Sequence, residues 1–323
     1  MVICAKSTNE GASGGRLEGT IYSVAEECEK AGGKALACRV DLRNVSEVEA
    51  AVKAAVERFG GIDVLVNNAS ALAIMPTLET DVKRFDLVNT INSRGTWLAS
   101  RLCLPHLLKS SNPHILMLSP PLDMDARWFK PHCGYTMAKF GMSMVVLGLA
   151  AEFEEQGVAV NALWPLTTIS TTALNILGGD TLKSLSRKDQ IMADAAHAIL
   201  TKPSRECTGN FFIDEDLLRT EGVSDFSKYS VTKGATQFAS DFFVPDHNRE
   251  RFVSPKYKQK YALAAAHASA TSSSSSSCTP KTTSNGNKKK DMASTSTTQL
   301  LLTLAPTAAS EEGHHHTPHL CKL

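Results

Sequence analysis

Short apolar runs rich in β-branched residues alternate with amphipathic segments from residue 1 to about residue 215. The runs at 1–5, 35–40, 64–67, 115–119, 158–163 and 209–213 are mostly near-continuous in apolar side chains, as strands buried on both faces must be. Between the second and third runs, Val45, Val48, Val52, Ala55, Val56 and Phe59 recur with the helical period. That spacing predicts a helix over 44–59, with Ser46 and Glu49 placed to form a capping box and Gly60-Gly61 to end it. Two longer helical patterns cover 81–108 and 136–156. The alternation predicts an α/β fold, a doubly wound parallel sheet covered by helices on both faces.

The pattern stops near residue 246. Beyond it Ser, Thr, Asn and Ala dominate, serines fill 272–277 and lysines fill 288–290. Such a segment cannot bury enough apolar surface to offset the entropy of ordering. The chain is therefore expected to divide into a folded region over 1–246 and a low-complexity, disordered tail over 247–323. Three adjacent histidines at 314–316 lack a framework to fix metal geometry, and no metal site is expected. Lys and Arg number 34 against 33 Asp and Glu, so no basic field draws nucleic acid or an anionic membrane, and a small molecule is the expected partner. The eight cysteines contain no Cys-x-x-Cys pair and suit reduced thiols rather than a disulfide framework. No stretch resembles a signal peptide, and the apolar runs break well before the ~20 residues that would span a bilayer; a soluble protein is expected.

Three stretches carry candidate chemistry. Residues 7–20 read STNEGASGGRLEGT, a glycine-rich run after an apolar one, where a nucleotide phosphate could be cradled or an ordinary loop could turn. Asn67-Asn68-Ala69-Ser70 follows a strand at the carboxyl edge of the sheet, where open α/β folds bind ligands; consecutive asparagines also suit a plain turn. Tyr135-x-x-x-Lys139 opens a helix, and its spacing puts both side chains on one face. An ammonium beside a phenol favours the phenolate and brings a poor acid/base toward a useful range. The same spacing recurs at Tyr229 and Lys233, after the last strand.

Order along the chain separates the two copies. Asp41 follows the second run, Asn67-Asn68-Ala69 the third, Asn92 lies in a helical pattern, Ser119 ends the next run, and Tyr135-x-x-x-Lys139 comes after it. This series resembles the short-chain dehydrogenase/reductase family; the copy at Tyr229 has no such context and is treated as coincidence. Gly19-Thr20-Ile21-Tyr22, NTINSRGTW at 89–97, Ser119-Pro120-Pro121-Leu122, Trp128-Phe129-Lys130 and Asn161-Ala162-Leu163-Trp164-Pro165 resemble one lineage of that family, over residues 1–246. The resemblance implies a Rossmann-like fold and an NAD(P)-dependent oxidoreductase of lipid metabolism in peroxisomes or mitochondria, acting on an apolar carbonyl or alcohol.

It also implies roles. Tyr135 exchanges a proton with the substrate oxygen, Lys139 lowers the Tyr135 pKa and binds the nicotinamide ribose, Asn92 holds a relay water, and Ser119 polarises the carbonyl. Lys6, Asp41, Asn67, Ala69, Lys139, Pro165 and Thr168, with Thr167 beside it, are the expected cofactor contacts, for NADP or NAD. The departures are equally specific. Counting back from Asp41 makes the run 1–5 the family's second strand, so the first strand with its glycine loop is expected to be absent and STNEGASGGRLEGT to be an ordinary loop. Pro120 stands where relatives place the catalytic serine, Leu166 where many have glycine, and a sterol-carrier domain expected at the C-terminus is missing. Weakened cofactor binding follows, as does the alternative of a non-catalytic truncated isoform that binds partners through its long helices. Cys321-Lys322-Leu323 resembles a peroxisomal address, with mitochondrion or cytosol as alternatives.

Overall fold

The computed structural model describes residues 1–6, 8, 19–249 and 320–322. The glycines at 11, 14 and 15 and the histidines at 314–316 lie outside them. In chain order the elements are β1 (Val2–Ala5), α1 (Ile21–Lys30), β2 (Leu36–Arg39), α2 (Val45–Phe59), β3 (Val64–Asn67), α3 (Val82–Asn89), a π-helical segment (Thr90–Gly95) and α4 (Thr96–Leu107). They continue with β4 (His114–Met117), α5 (Ala126–Phe129), α6 (Cys133–Glu152), β5 (Ala159–Trp164), α7 (Thr172–Ser184), α8 (Gln190–Leu200), β6 (Phe211–Ile213), α9 (Asp214–Thr220), α10 (Asp246–Arg249) and β7 (Leu320–Lys322). All seven strands are parallel, in the order β2-β1-β7-β3-β4-β5-β6. Six occupy the predicted runs. The seventh comes from the tail and fills the position between β1 and β3.

Strand alternation divides the core between the two faces of the sheet. Leu65, Ile115, Met117, Val160 and Ala162 pack against Val48 and Val52 of α2, Leu98 and Leu107 of α4, and Val146 and Leu149 of α6. Their strand neighbours Val64, Val66, Leu116 and Leu163 pack on the other side against Ile191, Ala195 and Ile199 of α8 and Leu217 of α9. Runs with no polar alternation are what a sheet covered on both faces requires. Helix α6 is long and apolar enough to cross a membrane, but 56% of its most apolar window is buried within the domain, as a core helix would be.

Helix ends differ from expectation in two places: α6 runs Cys133–Glu152 where 136–156 was expected, and α2 is capped differently. The side chain that caps α2 is Asn44, whose Oδ1 accepts from Ser46 N at 3.2 Å. The expected Ser46–Glu49 box does not form, because Ser46 already lies in the first turn and Glu47 reaches back to Asp41 N at 2.8 Å. Gly60 ends the helix at φ 86°, a left-handed position that glycine adopts without strain. The 81–108 pattern is one helical run, widened by the π-helical turn at Thr90–Gly95. Such turns are frequent at functional sites. The turn packs against α6 where Gly141 leaves no room: a Cβ there would overlap Ser93 Oγ.

Candidate active site

The carboxyl ends of β3, β4 and β5 and the opening of α6 converge on the residues that the sequence singled out. Helix α6 begins at Cys133, so Tyr135 lies in its first turn and Lys139 one turn further. Both are buried. Lys139 Nζ donates to Leu118 O at 3.0 Å and lies 5.1 Å from the centre of the Trp164 ring. Ser143, one turn on, donates to Pro120 O at 2.6 Å. Two side chains of α6 thus hold the backbone on either side of Ser119. The Ser119 hydroxyl is buried with no hydrogen-bond partner among the described residues. A buried hydroxyl left without a partner is rare and marks a place where another polar atom fits.

Electrostatics differ from the expected picture. Burial raises the Tyr135 pKa, and the Asp241 charge raises it further. Lys139 was expected to lower it. Instead the ammonium is spent on Leu118 O, and burial brings Lys139 itself down to about 8. In the structure Tyr135 therefore stays protonated at neutral pH.

The other assigned residues divide into those at the site and those that shape it. Asn92 lies in the π-helical turn, fully buried, and both its amide atoms are committed to Ala71: Ala71 N donates to Oδ1 at 2.7 Å and Nδ2 donates to Ala71 O at 3.1 Å. Its side chain fixes the loop after β3. Asn67 is buried and donates through Nδ2 to Ser100 Oγ at 3.1 Å, tying β3 to α4. Ala69 lies in the loop between them, partly exposed. Thr168 bonds Ser186 through its hydroxyl at 2.8 Å and Ala239 O through its N–H at 2.9 Å; Pro165 precedes it at the end of β5. Lys6 and Asp41 sit together after β1 and β2, with Nζ 3.7 Å from Oδ2. Arg43 grips the same carboxylate from the other side at 2.9 and 2.5 Å and holds its pKa down to about 2. The pair at Tyr229 and Lys233 is structural on the tyrosine side: the buried Tyr229 donates to Asp194 Oδ2 at 2.6 Å.

Sequence reasoning missed the segment 238–244. Its backbone is pinned to the loop after β5 by Thr168 N to Ala239 O and Asp241 N to Leu166 O, and Trp164 Nε1 donates to Phe242 O at 2.7 Å. Phe243 is fully buried against Trp128, Tyr135, Phe140 and Trp164, in a left-handed conformation at φ 62°. A bulky side chain persists in that conformation only where its surroundings impose it, and such strain gathers at functional sites. His132 adds an aromatic edge to Tyr135 at 5.7 Å. Thr136 spends its hydroxyl proton on Trp128 O, so His132 Nδ1 donates to Thr136 and the buried Nε2 is an acceptor without a partner among the described residues. The only advance signal was the aromatic doublet Phe242-Phe243.

Asp214 supports the same loop from below. Its Oδ1 accepts from Leu166 N at 2.9 Å, and burial raises its pKa to about 7. Because the folded value lies above the unfolded one, its contribution is fully present below about pH 4 and is lost as pH rises toward 7. Asp214→Asn keeps the accepting oxygen and removes the charge. Urea midpoints of the two proteins should therefore diverge in the variant's favour between pH 5 and pH 8; parallel pH profiles would contradict a protonatable Asp214.

Known proteins resemble this chain in sequence and fold. Residues 4–177 match the model of the short chain dehydrogenase family. Hydroxysteroid dehydrogenase-like protein 2 of Rattus norvegicus is 53% identical over 247 residues, covering 76% of this chain and 46% of that protein. The Homo sapiens protein of that name is 50% identical over 247 residues, covering 76% and 58%. The chain thus spans about half the length of the curated relatives it matches. A short chain dehydrogenase structure from Mycobacterium thermoresistibile superposes with a TM-score of 0.70 at 45% identity, covering 76% of this chain and 85% of that one. With its doubly wound parallel sheet and its serine, tyrosine and lysine at the ends of β4 and the start of α6, the chain belongs to the short-chain dehydrogenase/reductase family.

Proposed function

We propose that this chain is an NAD(P)-dependent oxidoreductase domain that interconverts an apolar, lipid-like carbonyl and its alcohol. The observation that carries the reading is the buried Ser119 hydroxyl, without a partner among the described residues, between the Leu118 and Pro120 carbonyls that Lys139 and Ser143 hold. A substrate oxygen there would accept from Ser119 and take its proton from Tyr135. Trp128, Phe140, Trp164 and Phe243 form a buried apolar cluster with Tyr135, surroundings that suit an apolar substrate. Lys6, Asp41, Asn67, Ala69, Pro165 and Thr168 would line the cofactor, with Lys139 at the ribose. The nicotinamide, when bound, supplies or accepts hydride. Asp41 is neutralised twice over, by Arg43 and Lys6, which favours a phosphorylated ribose over a bare one.

Titration of the full chain with NADPH and with NADH, read by fluorescence of Trp97, Trp128 and Trp164, tests this. Saturable binding together with turnover of long-chain ketones or aldehydes is expected, with affinity weaker than in relatives that carry a first-strand glycine loop. No binding up to millimolar cofactor would leave the second reading, a non-catalytic partner-binding isoform. One observation favours association in either case. Met137, Met144 and Leu147 of α6 and Trp97 of α4 are each about half exposed. The three on α6 share one face by helical spacing. Association through this face with a second copy, or with a longer relative, buries it. Leu147→Glu is expected to shift sedimentation toward the monomer without loss of fold; an unchanged assembly would exclude this face.

A further inference from the structure

Strand β7 has an unusual origin. It runs parallel between β1 and β3, with Val2 opposite Cys321 and Ile3 opposite Lys322 on one side, and Val64, Leu65 and Val66 opposite Leu320, Cys321 and Lys322 on the other. Strand β1 uses its other edge for β2, and β3 its other edge for β4. Among the described residues no other segment reaches the two inner edges. Their residues Val2, Ile3, Val64, Leu65 and Val66 are buried, where unpaired backbone N–H and C=O groups are costly. A slot with two such edges accepts any extended strand of the right direction, because main-chain hydrogen bonds supply the attraction.

We propose that the slot between β1 and β3 is a strand-acceptor site whose occupant is this chain's own Leu320–Lys322, and that capture there braces the sheet edge that carries the proposed cofactor contacts. A strand in the middle of a sheet has both edges paired, so its release leaves two buried edges open at once. The segment 250–319 gives ample contour at about 3.5 Å per residue for intramolecular capture, which the high effective concentration of a tethered strand favours. The strand's direction also brings Lys322 to the carboxyl edge of the sheet, where Lys6 follows β1 and Asn67 ends β3. Release of the strand therefore loosens the edge that carries proposed cofactor contacts.

Amide hydrogen exchange on the full chain decides the matter. Residues 2–5, 64–67 and 320–322 should be protected together. Cys321→Pro, which removes the central donor and cannot sit in an inner strand, should speed exchange in all three segments at least about tenfold while β4 and β5 keep their protection. Lys322→Ala, which leaves the backbone intact, should change nothing. Unprotected amides at 320–322 in the unmodified chain would overturn the proposal, as would unchanged β1 and β3 exchange in Cys321→Pro. If that variant loosens the whole domain, protection in the unmodified chain decides. Protection lost on about hundredfold dilution would mean that a second copy supplies the strand, and would overturn capture within one chain.

Discussion

Tyr135→Phe is expected to lower turnover by about 10²–10⁴-fold while leaving cofactor affinity within about twofold, because it deletes a single proton-transferring hydroxyl and no packing. The ring keeps its place against His132 and Phe243. The pH profile adds a sharper test. The Tyr135 pKa is raised, so the phenol stays protonated across the working range and does not set the alkaline limit. Lys139 is brought down to about 8, and its ammonium is lost as pH rises through that value. Carbonyl reduction should therefore fall on an alkaline limb near pH 8, and Lys139→Arg, whose guanidinium cannot deprotonate, should abolish the limb even where it costs rate. Activity of Tyr135→Phe within about tenfold of the unmodified protein would refute the assigned acid.

The six strands that begin at residues 2, 36, 64, 114, 159 and 211 were legible because the strands of a sheet covered on both faces write near-continuous apolar runs. The site's chain order was legible for a related reason: Asp41, Asn67, Ser119 and Tyr135 each stand at or within two residues of an element boundary. Their contacts were not legible. Lys139 was expected to act on Tyr135, yet Leu118 O lies within reach of its ammonium, and only packing of α6 on β4 reveals that. Asn92 follows the same logic, since the π-helical turn aims its amide at Ala71. The segment 238–244 writes no period, because its residues are held one by one through backbone bonds to the loop after β5. Strand β7 is the extreme case. Three residues in a serine- and threonine-rich tail carry no pattern, and only the two open edges beside them give them a structure. The placement of residues 1–5 as the family's second strand agrees with their position next to β2 at one side of the sheet.

The largest stability effect is expected at Arg187, which fastens the loop after β5 to α9. Its Nη2 lies 2.6 Å from Glu215 Oε2, its Nη1 donates to Phe226 O at 3.1 Å, and its guanidinium stacks 4.4 Å from the centre of the Phe238 ring. The two side chains are 3% and 0% exposed. Its backbone, between α7 and α8, pairs with that loop, with Arg187 N donating to Thr168 O and Ser170 N to Arg187 O. Arg187→Ala leaves a buried carboxylate without its main partner, a loss of about 3–5 kcal/mol that urea denaturation would read directly. Arg219 holds the other Glu215 oxygen at 2.6 Å but is 40% exposed, so it offsets part of the charge and places the effect toward the lower end of that range. The penalty comes from the orphaned charge rather than from the pair's own attraction. Arg187→Met combined with Glu215→Leu should therefore recover much of the stability lost in Arg187→Ala. A single substitution costing less than about 1 kcal/mol would show that water reaches Glu215 and that the loop is not fastened there.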